Sequence, residues 1–544
     1  MLKKIGLKNV RSFKDLKDLE ITPITVLCGT NSSGKSTILK SLLLWKQTLE
    51  NLSYFDGFQL NGKYTNLGSL EDLLHNNTRN KVIKFNFKFE ETTQKLDLLY
   101  KMLIHERRNE NFLGTAFSEL VANTIPKETI ESADSIEVDF SLAYKINFKS
   151  EMGIDIKEYN LKIIPIENND AKKSTEKGFI DDTHDSNNVE LKITAINKDQ
   201  IKIEWKNLLP LEKVNTNALA SEFSDKLQNL KGKSHTLKKT GTGSYFSNIL
   251  EFYVSSRTIG KQIELDLFHD GMAEFVRIIE DMKRVLTQCF SGISYLGPLR
   301  EEPSRRYIFD DRVNDIGIRG ENSAFLYNKY KDIVSEWYNT FDPINDKVIS
   351  HVGTLEEAVR DWLDEIGIKD FCSVKSEELI RFYMSSSEFN EGRGNLANDG
   401  RVNIADVGFG VSQVVPIVIE GLLMASGSTL ILEQPEIHLH PKMQMKLADF
   451  LLAMTLSGKT FIIETHSEHI INRFVRRIVE GESGLGDSFV GINFIRMTDK
   501  GSKIEKVKIS QKKGIENWPD EFFDQTFGEQ QNIMNAIIKN NQKE

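Results

Sequence analysis

The sequence predicts an α/β fold with a large mixed α+β insertion, and three observations carry that reading. Residues 1–50 and 401–510 read as short apolar strands feeding amphipathic helices, the pattern of α/β units. From about residue 77 to 290 the pattern changes to short alternating segments, such as Val82–Phe89 and Leu191–Ile196, separated by polar stretches. Hydrophobic residues make up 39% and charged residues 27% of the 544, which places the chain with packed proteins rather than disordered ones.

The elements follow in order. Leu2–Val10 and Leu19–Cys28 read as strands, and after a glycine-rich turn Ile38, Leu39, Leu42, Leu43 and Leu49 recur at helical spacing. Within the middle lobe, Glu167–Asn188 is polar and acidic and Lys231–Ser244 is basic and rich in Gly, Ser and Thr, so both read as loops. Residues 319–370 read as helices, for example through Leu355, Ala358, Val359, Trp362 and Leu363. Val414–Ala425 is the longest apolar run. It contains Pro416 and Glu420 and falls short of the ~18 residues a membrane span needs, so it reads as a buried helix. No repeat of 20–50 residues and no sustained heptads are present, which excludes a long coiled-coil arm.

Charge and cysteine usage narrow the function classes. Lys plus Arg number 70 and Asp plus Glu 79, a net charge of −9, so a uniformly basic nucleic-acid coat is excluded and DNA could be held only by a local patch. The candidates are Lys226, Lys231, Lys233, Lys238 and Lys239; Arg300, Arg305 and Arg306; and Arg473, Arg476 and Arg477. Cys28, Cys289 and Cys372 form no paired framework and no C-x-x-C, which points to a reducing, cytoplasmic compartment. The amino terminus has no signal-peptide stretch, and no membrane partner is expected.

Gly29-Thr30-Asn31-Ser32-Ser33-Gly34-Lys35-Ser36 satisfies G-x-x-x-x-G-K-[ST] between an apolar strand and a helix. Glycines let the backbone wrap anionic oxygens, and the helix start adds favourable potential at the same place. The expected ligands are ATP and Mg²⁺, with Lys35 on the β/γ-phosphates and Ser36 on the metal. A carboxylate at the end of a neighbouring buried strand must complete the metal shell, and Thr429–Leu432 ending in Glu433 supplies it. A third buried strand, Thr460–Ile463, leads to His466, placed to hydrogen-bond a γ-phosphate or the attacking water.

Three stretches resemble a known family: Ile5–Phe13 leading into GTNSSGKST, the segment EQPEIHLHP, and ETHSEH. They look like the P-loop, ABC-type ATPase heads of the OLD-like and SMC/RecF-like class of AAA-labelled prokaryotic ATPases. The likeness covers about 1–75 and 290–525, including Tyr295–Glu301 and Gly514–Pro519. It implies Walker A at Gly29–Thr37, with Thr37 closing the motif, the Walker B acid at Glu433 and the switch histidine at His466. It also places the signature motif at Gly408–Gln413, where Ser412 would cap the γ-phosphate of a second subunit, giving a head-to-head dimer or higher oligomer. The implied domains are 1–76 and 401–525 for the two parts of the head, 77–290 for the inserted lobe, 291–400 for a helical and strand segment, and 526–544 for a tail.

Two departures bear on the chemistry. The acid that normally follows Walker B is here Gln434, which cannot take a proton; Glu436 could serve instead, or Gln434 could orient the water, and slow hydrolysis follows from either. The signature is not a literal L-S-G-G-Q. His438 and His440 lack a third ligand at metal spacing and read as loop-shaping residues. The stretch after His466 is short for an OLD-type nuclease domain and has no D-x-D pair, so the resemblance implies a separate nuclease or effector subunit, as in Septu-like anti-phage systems. A RecF/SMC-like DNA-repair ATPase and an ATP-locked scaffold are the alternatives.

Overall fold

The strand Ile24–Gly29 is buried at every position from Ile24 to Cys28, as a strand covered on both faces must be. The computed structural model describes residues 1–50, 58–77, 82–92, 133, 135–146, 154–166, 188–197, 200–206, 234–238, 285–287, 289–308, 313–341, 347–376, 379–385, 401–407, 410–481, 485–517, 519 and 533–534. The chain divides into two units, Met1–Glu20 with Thr37–Gly292, and Ile21–Ser36 with Ile293–Glu544.

In the second unit, Ile24–Gly29 lies inside a sheet that, among the described residues, has six strands. The order is Ile293–Leu296, Thr429–Glu433, Thr460–Glu464, Ile24–Gly29, Val490–Thr498 and Gly501–Val507. The first five are parallel and only the last pairing is antiparallel. The apolar run read as a buried helix is the helix Gly410–Leu423, buried from Val411 to Leu422 with Pro416 inside it. Residues Pro441–Thr455 and Glu468–Glu480 form the helices that alternate with the strands. The segment 319–370 is only partly helical: Ser323–Tyr330 and Leu355–Ile366 are helices, but Val334–Phe341 and Val348–Thr354 pair as an antiparallel hairpin between them. Leu355–Ile366 begins with a capping box of Thr354 and Glu357 and stops at Gly367, whose φ of 112° a side chain would resist.

The first unit is an antiparallel sheet, eight-stranded among the described residues, running from Phe13–Glu20 through Leu2–Val10, Val82–Thr92 and Ser135–Ile146 to Ser234–Lys238. Phe85, Phe87 and Phe89 alternate with Lys84 and Lys88, so one face is aromatic. Trp45 packs edge-on to Phe58, Phe85 and Phe87 at 5.7, 5.6 and 5.8 Å. On the polar side, Lys88 pairs with Glu137 and Lys84 with Glu158. These units part the chain differently from the boundaries read in the sequence. Leu2–Val10 pairs with Val82–Thr92, which joins the amino terminus to the lobe rather than to the P-loop strand. The expected strand Leu19–Cys28 is two strands, because Leu19 and Glu20 end Phe13–Glu20 and the parallel strand starts only after Pro23. Lys231–Ser244 contains the strand Ser234–Lys238; its remaining residues, and 167–187, lie outside the described residues.

A buried ionic cluster ties two helices of the second unit together. Asp449, 1% exposed, accepts from Arg473 at 2.8 and 2.6 Å and from Arg477 at 2.8 and 3.2 Å. Arg477 also lies over the Phe341 ring at 4.3 Å. Asp449→Ala would take the carboxylate from half-buried Arg473 and leave buried Arg477 with Glu480 alone, a loss of about 3–5 kcal/mol in unfolding free energy. Chemical denaturation measures it, and a midpoint equal to wild type would contradict the cluster's role.

Candidate nucleotide site

The Gly29–Thr37 loop leaves the carboxyl end of Ile24–Gly29 and runs into the helix Lys35–Glu50, at the carboxyl ends of the sheet's parallel strands, where ligands of α/β folds bind. Gly29 sits at φ 132°, and a Cβ there would fall 2.0 Å from the Ile495 carbonyl oxygen, so no other residue fits. Thr30, Asn31 and Ser32 are exposed, with Ser32 itself left-handed at φ 59°. Ser33 is fully buried; its Oγ has no hydrogen-bond partner among the described residues, and its carbonyl accepts from Ser502 Oγ at 2.5 Å. Gly34, at φ 108°, completes the turn, and Thr37 accepts from Ser12 Oγ at 3.2 Å.

Lys35 is 4% exposed, and its Nζ folds back onto the carbonyls of Gly29 at 3.1 Å and Thr30 at 2.8 Å. Burial pushes its pKa down, while Glu464 and then Cys28 pull it back up. Cys28 is pushed up to about 12, chiefly by burial, and keeps its proton.

Ser36 Oγ donates to both carboxylate oxygens of Glu464, at 3.1 and 3.0 Å. Sequence reasoning expected Glu433 in that place. The strand order explains the difference, because Thr460–Glu464 lies between the P-loop strand and Thr429–Glu433. Glu433 and Glu464 are register partners, so two carboxylates end adjacent strands side by side. Glu433 accepts instead from the Tyr295 hydroxyl at 3.0 Å. Burial first and Glu433 second raise the Tyr295 pKa, so it remains a donor. Glu464 was missed as a site residue, although an acid closing the third buried strand was the signal for it.

The turn after Glu433 gathers the other expected residues. Gln434 is left-handed at φ 44°, and its N–H donates to the Glu464 carbonyl at 2.7 Å. Glu436 Oε1 accepts from the His466 N–H at 2.7 Å. Burial raises the Glu436 pKa above its ordinary 4.5, against the opposing pull of the His466 N–H, its own N–H, the Thr465 hydroxyl and Arg300. His466 is held below its ordinary 6.5 by desolvation and then by Lys35, which favours the neutral ring. Glu436 and His466 are thus brought together, as are Ser36 and Glu464.

Ser412 stands apart from these contacts. It lies in the first turn of Gly410–Leu423 but is 5% exposed and accepts from Gln413 Nε2 at 3.4 Å. Gly408 and Phe409 of the signature-like segment lie outside the described residues. His440 caps the helix Pro441–Thr455 by accepting from Lys442 N, and His438 is exposed at φ 62°. Among the described residues no group of three or more His, Cys, Asp or Glu could hold a metal ion on its own. A magnesium–nucleotide complex needs fewer protein ligands, and the hydroxyl–carboxylate pair of Ser36 and Glu464 beside Glu433 offers hard oxygen donors of the right kind. The desolvated Lys35 ammonium and the orphaned Ser33 hydroxyl fit an anionic guest in the same loop.

A family model described as AAA ATPase domain matches residues 1–471. The chain belongs to the AAA ATPase domain family. Its fold is that of a P-loop ATPase. It is 32% identical over 146 residues to the "Tungstate uptake system ATP-binding protein TupC" of Campylobacter jejuni, a match covering 26% of this chain. That match spans 41% of TupC. The structure is also similar to the SMC head domain from Thermotoga maritima, at 9% identity and TM-score 0.31 over 93% of this chain and 99% of that one. A Pyrococcus furiosus Smc head with an extended coiled coil, bound to the C-terminal domain of ScpA, matches at 10% identity and TM-score 0.33 over 93% and 96%.

The arginine clusters considered for nucleic acid are largely committed elsewhere. Arg473 and Arg477 serve Asp449, Arg476 pairs with Glu480, Arg305 pairs with Asp406, and Arg300 is buried. Charge in the sequence did not reveal Asp449 and Asp406, which come from other elements, whereas Glu480 lies one turn from Arg476 on the same helix. Lys226, Lys231, Lys233 and Lys239 lie outside the described residues, and only the backbone of Lys238 is described. No helix among the described residues is long and apolar enough to cross a membrane.

Proposed function

We propose that this ATPase is a cytoplasmic switch: ATP bound in the Gly29–Thr37 loop pairs two heads, and hydrolysis releases them to control a separate effector. The observation that carries the reading is the ordered set around the loop, with Lys35 inside it, Ser36 on Glu464, and Glu436 tied to His466 at the neighbouring strand ends. Lys35 would leave its own loop carbonyls for the β/γ-phosphates. Ser36, with Glu464 and Glu433, would hold Mg²⁺, which when bound neutralises phosphate charge. Glu436 would accept the proton of the attacking water, and neutral His466 would orient the γ-phosphate side. Ser412 would serve the partner head once its helix turn opens to expose it.

The resemblance to OLD-like and SMC/RecF-like heads supports the pairing and supports a nuclease effector in anti-phage defence. A DNA-repair role of the RecF/SMC type would show itself as ATP-dependent DNA binding without an effector. An ATP-locked scaffold is favoured by Gln434 and would bind ATP without turnover. The test of the effector is DNA cleavage: the chain alone leaves DNA intact, and the product of the neighbouring gene added to it cuts in an ATP-dependent way. Cleavage by the chain alone, lost on a point change within it, would contradict the reading.

A base with a raised pKa also sets a pH dependence. Glu436 must be ionised to accept a proton, so the rate at saturating magnesium–ATP falls on acidification with a midpoint above the ordinary 4.5. The neutral form of His466 is already favoured above its own lowered pKa and adds no limb above 6.5. A profile flat down to pH about 5 would contradict Glu436 as the base.

A further inference from the structure

The segment after the edge strand Ile293–Leu296 brings a buried guanidinium to the Glu433–Glu436 turn. Arg300 is 3% exposed, and its two terminal nitrogens fork over main chain, Nη1 to the Gln434 carbonyl and Nη2 to the Glu433 carbonyl, both at 3.2 Å. The segment is anchored in turn by Gly297 N–H on the Ile318 carbonyl and Glu301 N–H on the Arg319 carbonyl, each at 2.8 Å. A buried guanidinium ordinarily faces a carboxylate. This one grips backbone and, among the described residues, leaves its Nε–H buried without a hydrogen-bond partner, while Glu436 Oε2 on the same turn is also buried without one. One N–H of a cation and one oxygen of a carboxylate, each group bonded through its other atoms, are thus left over at one turn, whose second residue, Gln434, sits in the left-handed region.

The geometry points to Arg300 as a positioning residue for hydrolysis: it fixes the Glu433–Glu436 turn so that Gln434 and Glu436 keep their aim, and takes no part in binding ATP. This rests on the ATPase reading above. Among the described residues Arg300 donates hydrogen bonds to main-chain oxygens of the turn and not to the Gly29–Thr37 loop, so its loss should fall on the chemical step. Losing its grip takes the donor from two part-buried carbonyls and lets the strained Gln434 relax.

The experiment uses the full chain, with ATP affinity and steady-state hydrolysis measured separately. Arg300→Ala should lower kcat by about 10–100-fold while ATP affinity stays within about twofold. Added guanidinium, below denaturing concentrations, should restore part of the Arg300→Ala rate by refilling the site, and should leave Lys35→Ala inactive. Arg300→Lys keeps a cation but loses the fork, and should remain slower than wild type without rescue. Wild-type kcat in both variants would overturn the proposal. So would a joint loss of ATP affinity and rate in Arg300→Ala without rescue, accompanied by the same joint loss in Arg300→Lys. A wild-type chain that binds no ATP, or a Lys35→Ala chain that turns over normally, would instead overturn the ATPase reading itself.

Discussion

Lys35→Ala is expected to weaken ATP binding by about 10²-fold or more and to abolish turnover, with the fold intact. The Lys35 ammonium is the buried cation inside the loop, and its present partners are the loop's own carbonyls of Gly29 and Thr30. A triphosphate would replace those contacts with stronger, charge-assisted ones, which the alanine variant cannot make. The side chain contributes nothing to the apolar core of its unit, so the circular dichroism spectrum and melting midpoint should stay near wild type. Nucleotide titration checks the affinity. Binding and hydrolysis at wild-type levels would place the nucleotide somewhere other than Gly29–Thr37.

The second large effect is expected at Glu436. Glu436→Gln should preserve ATP binding, lower turnover by about 10²–10⁴-fold, and accumulate the ATP-bound form. The amide oxygen can still accept the His466 N–H that now meets Glu436 Oε1 at 2.7 Å, so the turn should hold its shape while the proton acceptor is gone. Single-turnover phosphate release separates this from a binding defect. Normal turnover in Glu436→Gln together with failure of Gln434→Ala would assign the water to Gln434, acting by hydrogen bonding, and remove Glu436 from the chemistry.

What the sequence revealed and what it hid divide along the range of the interactions. The Gly29–Ser36 loop is contiguous and carries its own backbone requirements, so it was legible at once, down to the glycine that faces Ile495. The choice between Glu433 and Glu464 as the neighbour of Ser36 was not legible, because it depends on which strand lies next to Ile24–Gly29. Arg300, Arg473 and Arg477 read as possible surface charge, since burial and a partner such as Asp449 come from other elements. The hairpin at Val334–Phe341 was hidden by the strong helical pattern of Leu355–Ile366 behind it, although aromatic Trp337, Tyr338 and Phe341 already leaned toward strand.

The most direct test of the switch is the molar mass of the chain in solution by light scattering, measured with magnesium–ATP, with magnesium–ADP and without nucleotide. The expected result is a mass that doubles with ATP, persists in Glu436→Gln, and stays at the ADP value in Lys35→Ala. A mass that is the same in all three nucleotide conditions, in wild type and in Glu436→Gln alike, would contradict ATP-driven pairing of the heads.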